Sequence, residues 1–149
     1  MSQHIISLIG NPNCGKTTLF NALTGSRQRV GNWPGVTVDK KTGNFSFEGH
    51  DIEVVDLPGI YSVTPTSVSG EDEIVARDYL LSGQAQVVVN IVDASNLERN
   101  LYLTSQLIEM HVPMIVVVNM LDIAKQHKIK LDLDALEKQL GCPLSLIHI

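Results

Sequence analysis

The sequence predicts an α/β fold, a doubly wound and mainly parallel sheet with one antiparallel hairpin strand. Three observations carry this prediction. Short apolar runs of strand length alternate with longer amphipathic stretches, the order that the right-handed crossovers of a parallel sheet require. Two of those runs, 86–92 and 114–118, are apolar at almost every position, as expected of strands covered on both faces. The glycine-rich and acidic signatures all fall at the carboxyl ends of such runs, where ligands sit in sheets of this kind. The 149 residues amount to a single domain, long enough to bury a real core. A net charge of −5 offers no basic stripe for nucleic acid. The two cysteines, Cys14 and Cys142, make no disulfide framework, so a reducing cytosolic setting is the default. No signal peptide and no run of membrane-spanning length is visible, and the chain reads as soluble.

The first run, residues 4–9, has the character of a buried strand and leads into Gly10-Asn11-Pro12-Asn13-Cys14-Gly15-Lys16-Thr17. That stretch reads G-x-x-x-x-G-K-T, the phosphate-cradling P-loop, and it is followed by a helix-like segment, 18–24, closed by Gly25. Glycines let backbone N–H groups approach a phosphate, and the helix N-terminus adds partial positive charge. Lys16 is expected to reach the β- and γ-phosphates, and the Thr17 hydroxyl to ligate Mg²⁺. Cys14 is expected to be a small loop filler rather than a reactive thiol. Residues 26–37 are punctuated by glycine and proline and predict a long loop without a regular element, pinned to the body by Trp33.

Residues 38–47 and 52–55 predict a hairpin around Glu48-Gly49-His50-Asp51, its second strand ending in Asp56-Leu57-Pro58-Gly59. An aspartate at a strand end with a glycine three residues on suits a carboxylate that holds Mg²⁺ through water and an N–H, that of Gly59, that touches the γ-phosphate. Residues 60–70 predict a second mobile loop, and Ser69 to Asp72 a capping box opening a helix that stops at Gly83. After the strand 86–92, Ser95 and Glu98 predict another capping box, and Leu97, Leu101, Leu103, Leu107, Ile108 and Met110 give the next helix its apolar face. The strand 114–118 ends in Asn119-Met120-Leu121-Asp122. Asp134 is expected to cap a last helix, 135–140, ahead of a strand from Leu144. The five histidines show no metal-ligand spacing and read as surface or packing residues.

Asn119-x-x-Asp122 bears on the base. A carboxylate there accepts from the N1–H and exocyclic amine of guanine, whereas adenine presents a bare acceptor, and an unpaired buried carboxylate is costly. With the P-loop, Thr37 and Asp56-x-x-Gly59, this order resembles the small-GTPase branch of the P-loop NTPases. Gly10 to Gly25, Gln28 to Val38, Asp56 to Ser62 and Asp93 to Leu103 narrow the resemblance to the N-terminal GTPase domain of the bacterial ferrous iron transport protein B family. The loop Val30-Gly-Asn-Trp-Pro-Gly-Val-Thr37 is the most family-specific part.

The resemblance implies a Mg²⁺-dependent, slow GTPase at the cytoplasmic face of the bacterial inner membrane, followed by helical and Fe²⁺-conducting membrane domains that this chain does not contain. It implies nucleotide contacts from Gly10, Asn11, Pro12, Asn13, Cys14, Gly15, Lys16, Thr17 and Thr18, from Gly35, Val36 and Thr37, from Asp56, Leu57, Pro58 and Gly59, and from Asn119, Met120 and Asp122. Thr17, Thr37 and Asp56 would serve Mg²⁺. Asn13 matches the P-loop asparagine that helps hold K⁺ in potassium-stimulated GTPases, so K⁺ is an expected cofactor beside GTP or GDP. Asn13, Lys16, Thr37 and Gly59 are the residues expected to carry hydrolysis, because Ile60 and Tyr61 stand where many small GTPases place a water-orienting glutamine.

Two departures matter. Met120 stands where lysine is usual, which lowers the expected affinity, and the chain ends about where the last guanine-contacting loop should begin. The rival readings are a ribosome- or tRNA-associated GTPase, disfavoured by the acidic charge, and a P-loop small-molecule kinase, which would need an arginine-bearing lid. A homo-oligomer stays open.

Overall fold

The computed structural model describes residues 3–64 and 70–147. Seven strands form one sheet in the order β2-β3-β4-β1-β5-β6-β7. They are β1 (Gln3–Gly10), β2 (Gln28–Asn32), β3 (Asp39–Phe47), β4 (His50–Asp56), β5 (Val87–Asp93), β6 (Met114–Asn119) and β7 (Leu144–Leu146). β4, β1, β5, β6 and β7 pair in parallel, while β2–β3 and β3–β4 are antiparallel. Five helices connect them: α1 (Lys16–Thr24), α2 (Glu71–Ser82), α3 (Leu97–Glu109), α4 (Leu121–Gln126) and α5 (Leu133–Leu140).

The period of two along the strands sorts the core into two layers. Leu8, Val54, Ile91 and Val117 point to one face and pack with Phe20, Leu19 and Leu23 of α1. Their neighbours Ile9, Val55, Val92 and Val118 point to the other, where Ala76 and Leu80 of α2 and Leu103 and Leu107 of α3 cover them. Every central strand is thus buried on both sides, the physical reason for its near-continuous apolar composition.

Several expectations are corrected in detail. Residues 26–37 are not wholly irregular: Gln28–Asn32 forms the edge strand β2, paired with β3 from Gln28↔Gly43 to Asn32↔Asp39. Its residues carry no apolar alternation, so the neighbour's backbone imposes the strand. The hairpin turns on two residues, Glu48 and Gly49, both at positive φ (48° and 80°), so His50 and Asp51 belong to β4. Gly70 is the N-cap of α2 and supplies no side-chain cap; Ser69, expected there, lies outside the described residues.

At β5 the cap is Asp93 rather than Ser95: its carboxylate accepts from the Ser95 N–H (2.8 Å) and hydroxyl (2.5 Å), and a 3₁₀ turn over Ala94–Asn96 precedes α3. A carboxylate at the strand end outcompetes the hydroxyl two residues later because it accepts both bonds at once. The last helix starts earlier than expected, capped by Asp132, which accepts from Ala135 N–H at 3.0 Å; Asp134 falls in its first turn, where its charge complements the helix dipole. Ile108 is 37% exposed and lies off the apolar face of α3, whose inward stripe instead carries Asn100, Thr104 and Gln106. The short helix α4 was not foreshadowed by any periodicity. Among the described residues no helix is long and apolar enough to cross a membrane.

Candidate functional site: a phosphate-type cleft at the strand ends

The carboxyl ends of β1, β4 and β6 deliver the site. β1 ends at Gly10, and a Cβ there would stand 2.6 Å from Cys14 Sγ and 2.7 Å from the Ile91 carbonyl oxygen, so the tight turn out of the strand demands glycine. Cys14 N–H donates to the Asn11 carbonyl at 3.3 Å, curling the loop over itself. Asn13 takes φ 66° and Gly15 φ 103°; Gly15 is the N-cap of α1, whose Leu19 N–H donates to the Gly15 carbonyl at 3.0 Å. Cys14 is buried, and burial pushes its thiol pKa up against the opposing pull of Lys16 backbone and charge. Its side chain packs with Leu8, Phe20 and Ile91 beneath the loop.

β4 ends at Asp56, whose carboxylate lies 2.6 Å from Lys16 Nζ; the two side chains are 8% and 11% exposed. The pair joins the cation expected at the phosphates to the carboxylate expected at the metal. After Asp56 the chain is stitched to the first strand by Leu57 N–H to the Leu8 carbonyl (3.0 Å) and Ile60 N–H to the Gly10 carbonyl (3.1 Å). Gly59 faces Pro12 so closely that a Cβ would lie 3.2 Å from its Cα. Leu57 and Ile60 are core residues, and Leu57 serves the sheet rather than the cleft.

β6 ends at Asn119, which is buried and donates from Nδ2 to the Cys14 carbonyl at 3.1 Å. A Cβ on Gly15 would sit 2.1 Å from that same Nδ2, so the loop from β6 rests directly on the P-loop. Met120 follows in the left-handed conformation (φ 62°) as the N-cap of α4, and Asp122 stands exposed in the first turn of that helix.

Between these loops opens a cleft of about 490 Å³, lined by Asn11, Pro12, Asn13, Gly15, Lys16, Thr17, Thr18, Gly59 and Met120. Three loops that the sequence places about 50 residues apart therefore meet around one polar cavity. Gly35, Val36 and Thr37 are not brought to it. Thr37 is exposed and its hydroxyl donates to Glu71 Oε2 at 3.4 Å, at the start of α2. Trp33 anchors that loop: it is 7% exposed, meets Tyr79 of α2 edge-on at 5.4 Å, and carries Lys40 Nζ 4.7 Å above its ring. The reading of Trp33 as the anchor fits this placement.

Three sets of side-chain contacts had no signal in the sequence, although Asn11 itself was expected at the site. Asn11 is 4% exposed with neither amide atom hydrogen-bonded, beside the cleft wall. Asn100 Oδ1 accepts from Asp93 N–H (3.1 Å), and Asn90 links Thr104 to the Ile9 carbonyl, tying α3 to the root of the P-loop. Gln106 of α3 holds the loop after Gly59. Among the described residues no three His, Cys, Asp or Glu side chains gather as a metal cluster.

Residues 4–148 match the family model described as ferrous iron transport protein B. The chain is 59% identical over 145 residues to the Fe(2+) transporter FeoB of Escherichia coli (strain K12), covering 97% of this chain and 19% of the relative. It is 58% identical to that of Salmonella typhimurium (strain LT2) over the same span. The chain thus spans about a fifth of the length of the curated relatives it matches. Among solved structures, the cytosolic domain of L. pneumophila FeoB superposes with a TM-score of 0.91 at 51% identity, covering 97% of this chain and 62% of that one. The G domain of the T. maritima FeoB iron transporter gives 0.89 at 45%, covering 99% and 88%. An S. thermophilus NFeoB variant bound to GDP gives 0.90 at 51%, covering 97% and 56%. Sequence, fold and cleft agree: this chain belongs to the ferrous iron transport protein B family, and its fold is that of the family's G domain.

Proposed function

We propose that this chain is the GTP-binding, slowly GTP-hydrolysing switch domain of a ferrous iron uptake transporter, working at the cytoplasmic face of the bacterial inner membrane beside helical and membrane domains. The observation that carries the reading is the ion pair at 2.6 Å between Asp56 and Lys16, which lines a cleft whose P-loop is bonded by Asn119 to the loop from β6. The donor set suits a nucleotide with Mg²⁺: Thr17 lines the cleft, the Asp56 carboxylate is bonded to the lining residue Lys16, and Asn13 and Gly15 take the positive φ found in anion-binding backbone turns. Lys16 would exchange Asp56 for phosphate oxygens, freeing the carboxylate for the metal's water shell. Mg²⁺, when bound, would neutralise charge developing on the transferred phosphoryl group. Thr37, bonded to Glu71, would have to leave it to join that metal site. Asp122, two residues after the cleft-lining Met120, would meet the base, and its carboxylate would select guanine.

Neither of the two side chains directly after Gly59 suits a water-orienting role. Ile60 is buried in the core, and Tyr61 lies under the Arg99 guanidinium at 4.1 Å. Backbone groups of the 31–36 loop would then hold the attacking water. Asn13, exposed on the cleft rim, would help K⁺ occupy the place of an arginine finger, which is worth roughly 10³–10⁵ in rate where one is used. GTP and GDP would be the nucleotides, with Mg²⁺ and K⁺ as ions and no nucleic acid as partner. The test is GTP turnover in matched KCl and NaCl together with GTP and ATP titrations. Faster turnover in K⁺, lost in Asn13→Ala with GDP affinity kept, and a preference for GTP are expected. Equal rates in the two salts would return Asn13 to a turn residue; equal affinity for ATP would remove the guanine assignment.

A further inference from the structure

The loop that follows Gly59 is held by a stripe of α3. Gln106 is 8% exposed and its amide is fully used: Oε1 accepts from Val63 N–H at 2.8 Å, and Nε2 donates to Ser62 Oγ at 2.9 Å and to Thr64 Oγ1 at 2.5 Å. Ser62 Oγ also accepts from Thr64 N–H at 3.2 Å, so the three residues form one knot around the amide. Seven positions earlier, two helical turns along the same face, Arg99 lies over the Tyr61 ring. One helix face therefore holds residues 61–64 in sequence, with Ile60 N–H bonded to the Gly10 carbonyl just before them, while on the other side of Gly59 the Leu57 N–H is bonded to the Leu8 carbonyl. Gly59 sits between two fixed ends. Thr37, bonded to Glu71 at the start of α2, also lies outside the cleft.

We propose that Gln106 is a positioning residue that clamps the loop after Gly59 in the arrangement not engaged with a γ-phosphate, and so sets the discrimination between GTP and GDP. The proposal rests on the reading of the chain as a guanine-nucleotide switch. A loop that must shift to reach a γ-phosphate gives up these bonds, and the buried Val63 N–H then stands unpaired, a cost borne only by the triphosphate-bound arrangement. A ligand's apparent affinity is scaled by the population of the state it prefers, so loosening the clamp favours GTP over GDP.

The experiment titrates the chain with GDP and with a non-hydrolysable GTP analogue in Mg²⁺. Gln106→Met keeps side-chain length and removes all three hydrogen bonds; it is expected to raise the ratio of analogue to GDP affinity about five- to tenfold, the scale of one or two net hydrogen bonds. It also speeds hydrogen exchange at the Val63 amide in the GDP complex. Gln106→Glu keeps the ratio near its original value, because the Ser62 and Thr64 hydroxyls can donate to a carboxylate. Thr64→Val, at an exposed position that threatens folding little, gives a smaller rise in the same direction. An unchanged ratio in Gln106→Met and Thr64→Val, whatever the loss of stability, reduces Gln106 to a structural residue and overturns the proposal; a fall in the ratio assigns it to the opposite state and also overturns it. Failure of the unsubstituted chain to bind GDP defeats the switch reading and the clamp together, whereas GDP binding with an unmoved ratio defeats the clamp alone.

Discussion

The phosphate loop, residues 10–17, and the loop from Trp33 to Val38 are held in opposite ways. The first is fixed along its whole length by backbone: left-handed turns at Asn13 and Gly15, the Cys14–Asn11 and Ile60–Gly10 bonds, and the Asn119 amide pressed on the Cys14 carbonyl. The second is fixed at its two ends, by Trp33 N–H donating to the Val38 carbonyl at 2.9 Å and by the Trp33 side chain sunk beside Tyr79, while Pro34, Gly35 and Thr37 stay exposed. A preorganised cradle costs a phosphate little ordering entropy on binding. A loop held only at its ends can change the position of Thr37 without unpacking the core. Rigidity along one loop and freedom in the middle of the other are what the proposed switch needs from its two halves.

Substitution of the anchor should have the largest effect. Trp33→Ala removes a nearly fully buried ring and its contact with Tyr79, with an expected loss of about 3–5 kcal/mol in denaturant unfolding. Fast hydrogen exchange across residues 33–38 should accompany it while the P-loop amides stay protected. A comparable rise in exchange in both loops would show that the two are not held independently.

Gly15→Ala attacks the other half. The residue would have to keep φ 103° with a Cβ 2.1 Å from Asn119 Nδ2, so the P-loop and the loop from β6 must separate. GDP affinity measured by calorimetry should fall at least about a hundredfold, roughly 2.7 kcal/mol, with the packing of Trp33 unaltered as read from its fluorescence. Retained affinity would mean that the contact between the two loops is dispensable.

The smallest effect sharpens the account of the anchor. Tyr79 is buried with its hydroxyl unbonded, and desolvation, helped by the nearby Glu53 charge, pushes its pKa up to about 12. A folded-state pKa above the unfolded value near 10 means stability that is complete below pH 10 and declines as pH rises toward 12, because the unfolded chain releases the proton first. Tyr79→Phe should change stability by less than about 1 kcal/mol at pH 7, since it removes a group that makes no hydrogen bond, and should abolish this part of the alkaline decline. A decline of the same size in Tyr79→Phe would assign it to other groups.

Much of this molecule follows from the chain read locally. The P-loop, the hairpin, the strand ends at Asp56 and Asn119, and the sheet with helices on both faces depend on signals within a few residues: a required glycine, a period of two, an apolar run of strand length. The pattern Asn119-x-x-Asp122 was likewise legible as a unit, because its four residues are contiguous at the end of one apolar run. What tertiary structure alone decided lies between distant segments. Gln28–Asn32 is a strand because β3 lends it a backbone ladder that its own glycine and polar residues do not demand. The caps at Asp93 and Asp132 were settled by which of two neighbouring polar side chains reached the free N–H groups in three dimensions. Thr37 rests on Glu71 rather than in the cleft, and Gln106 grips a loop more than forty residues away. Local sequence sets the conformation of each piece, but hydrogen bonds across such separations exist only once the sheet has brought their partners together.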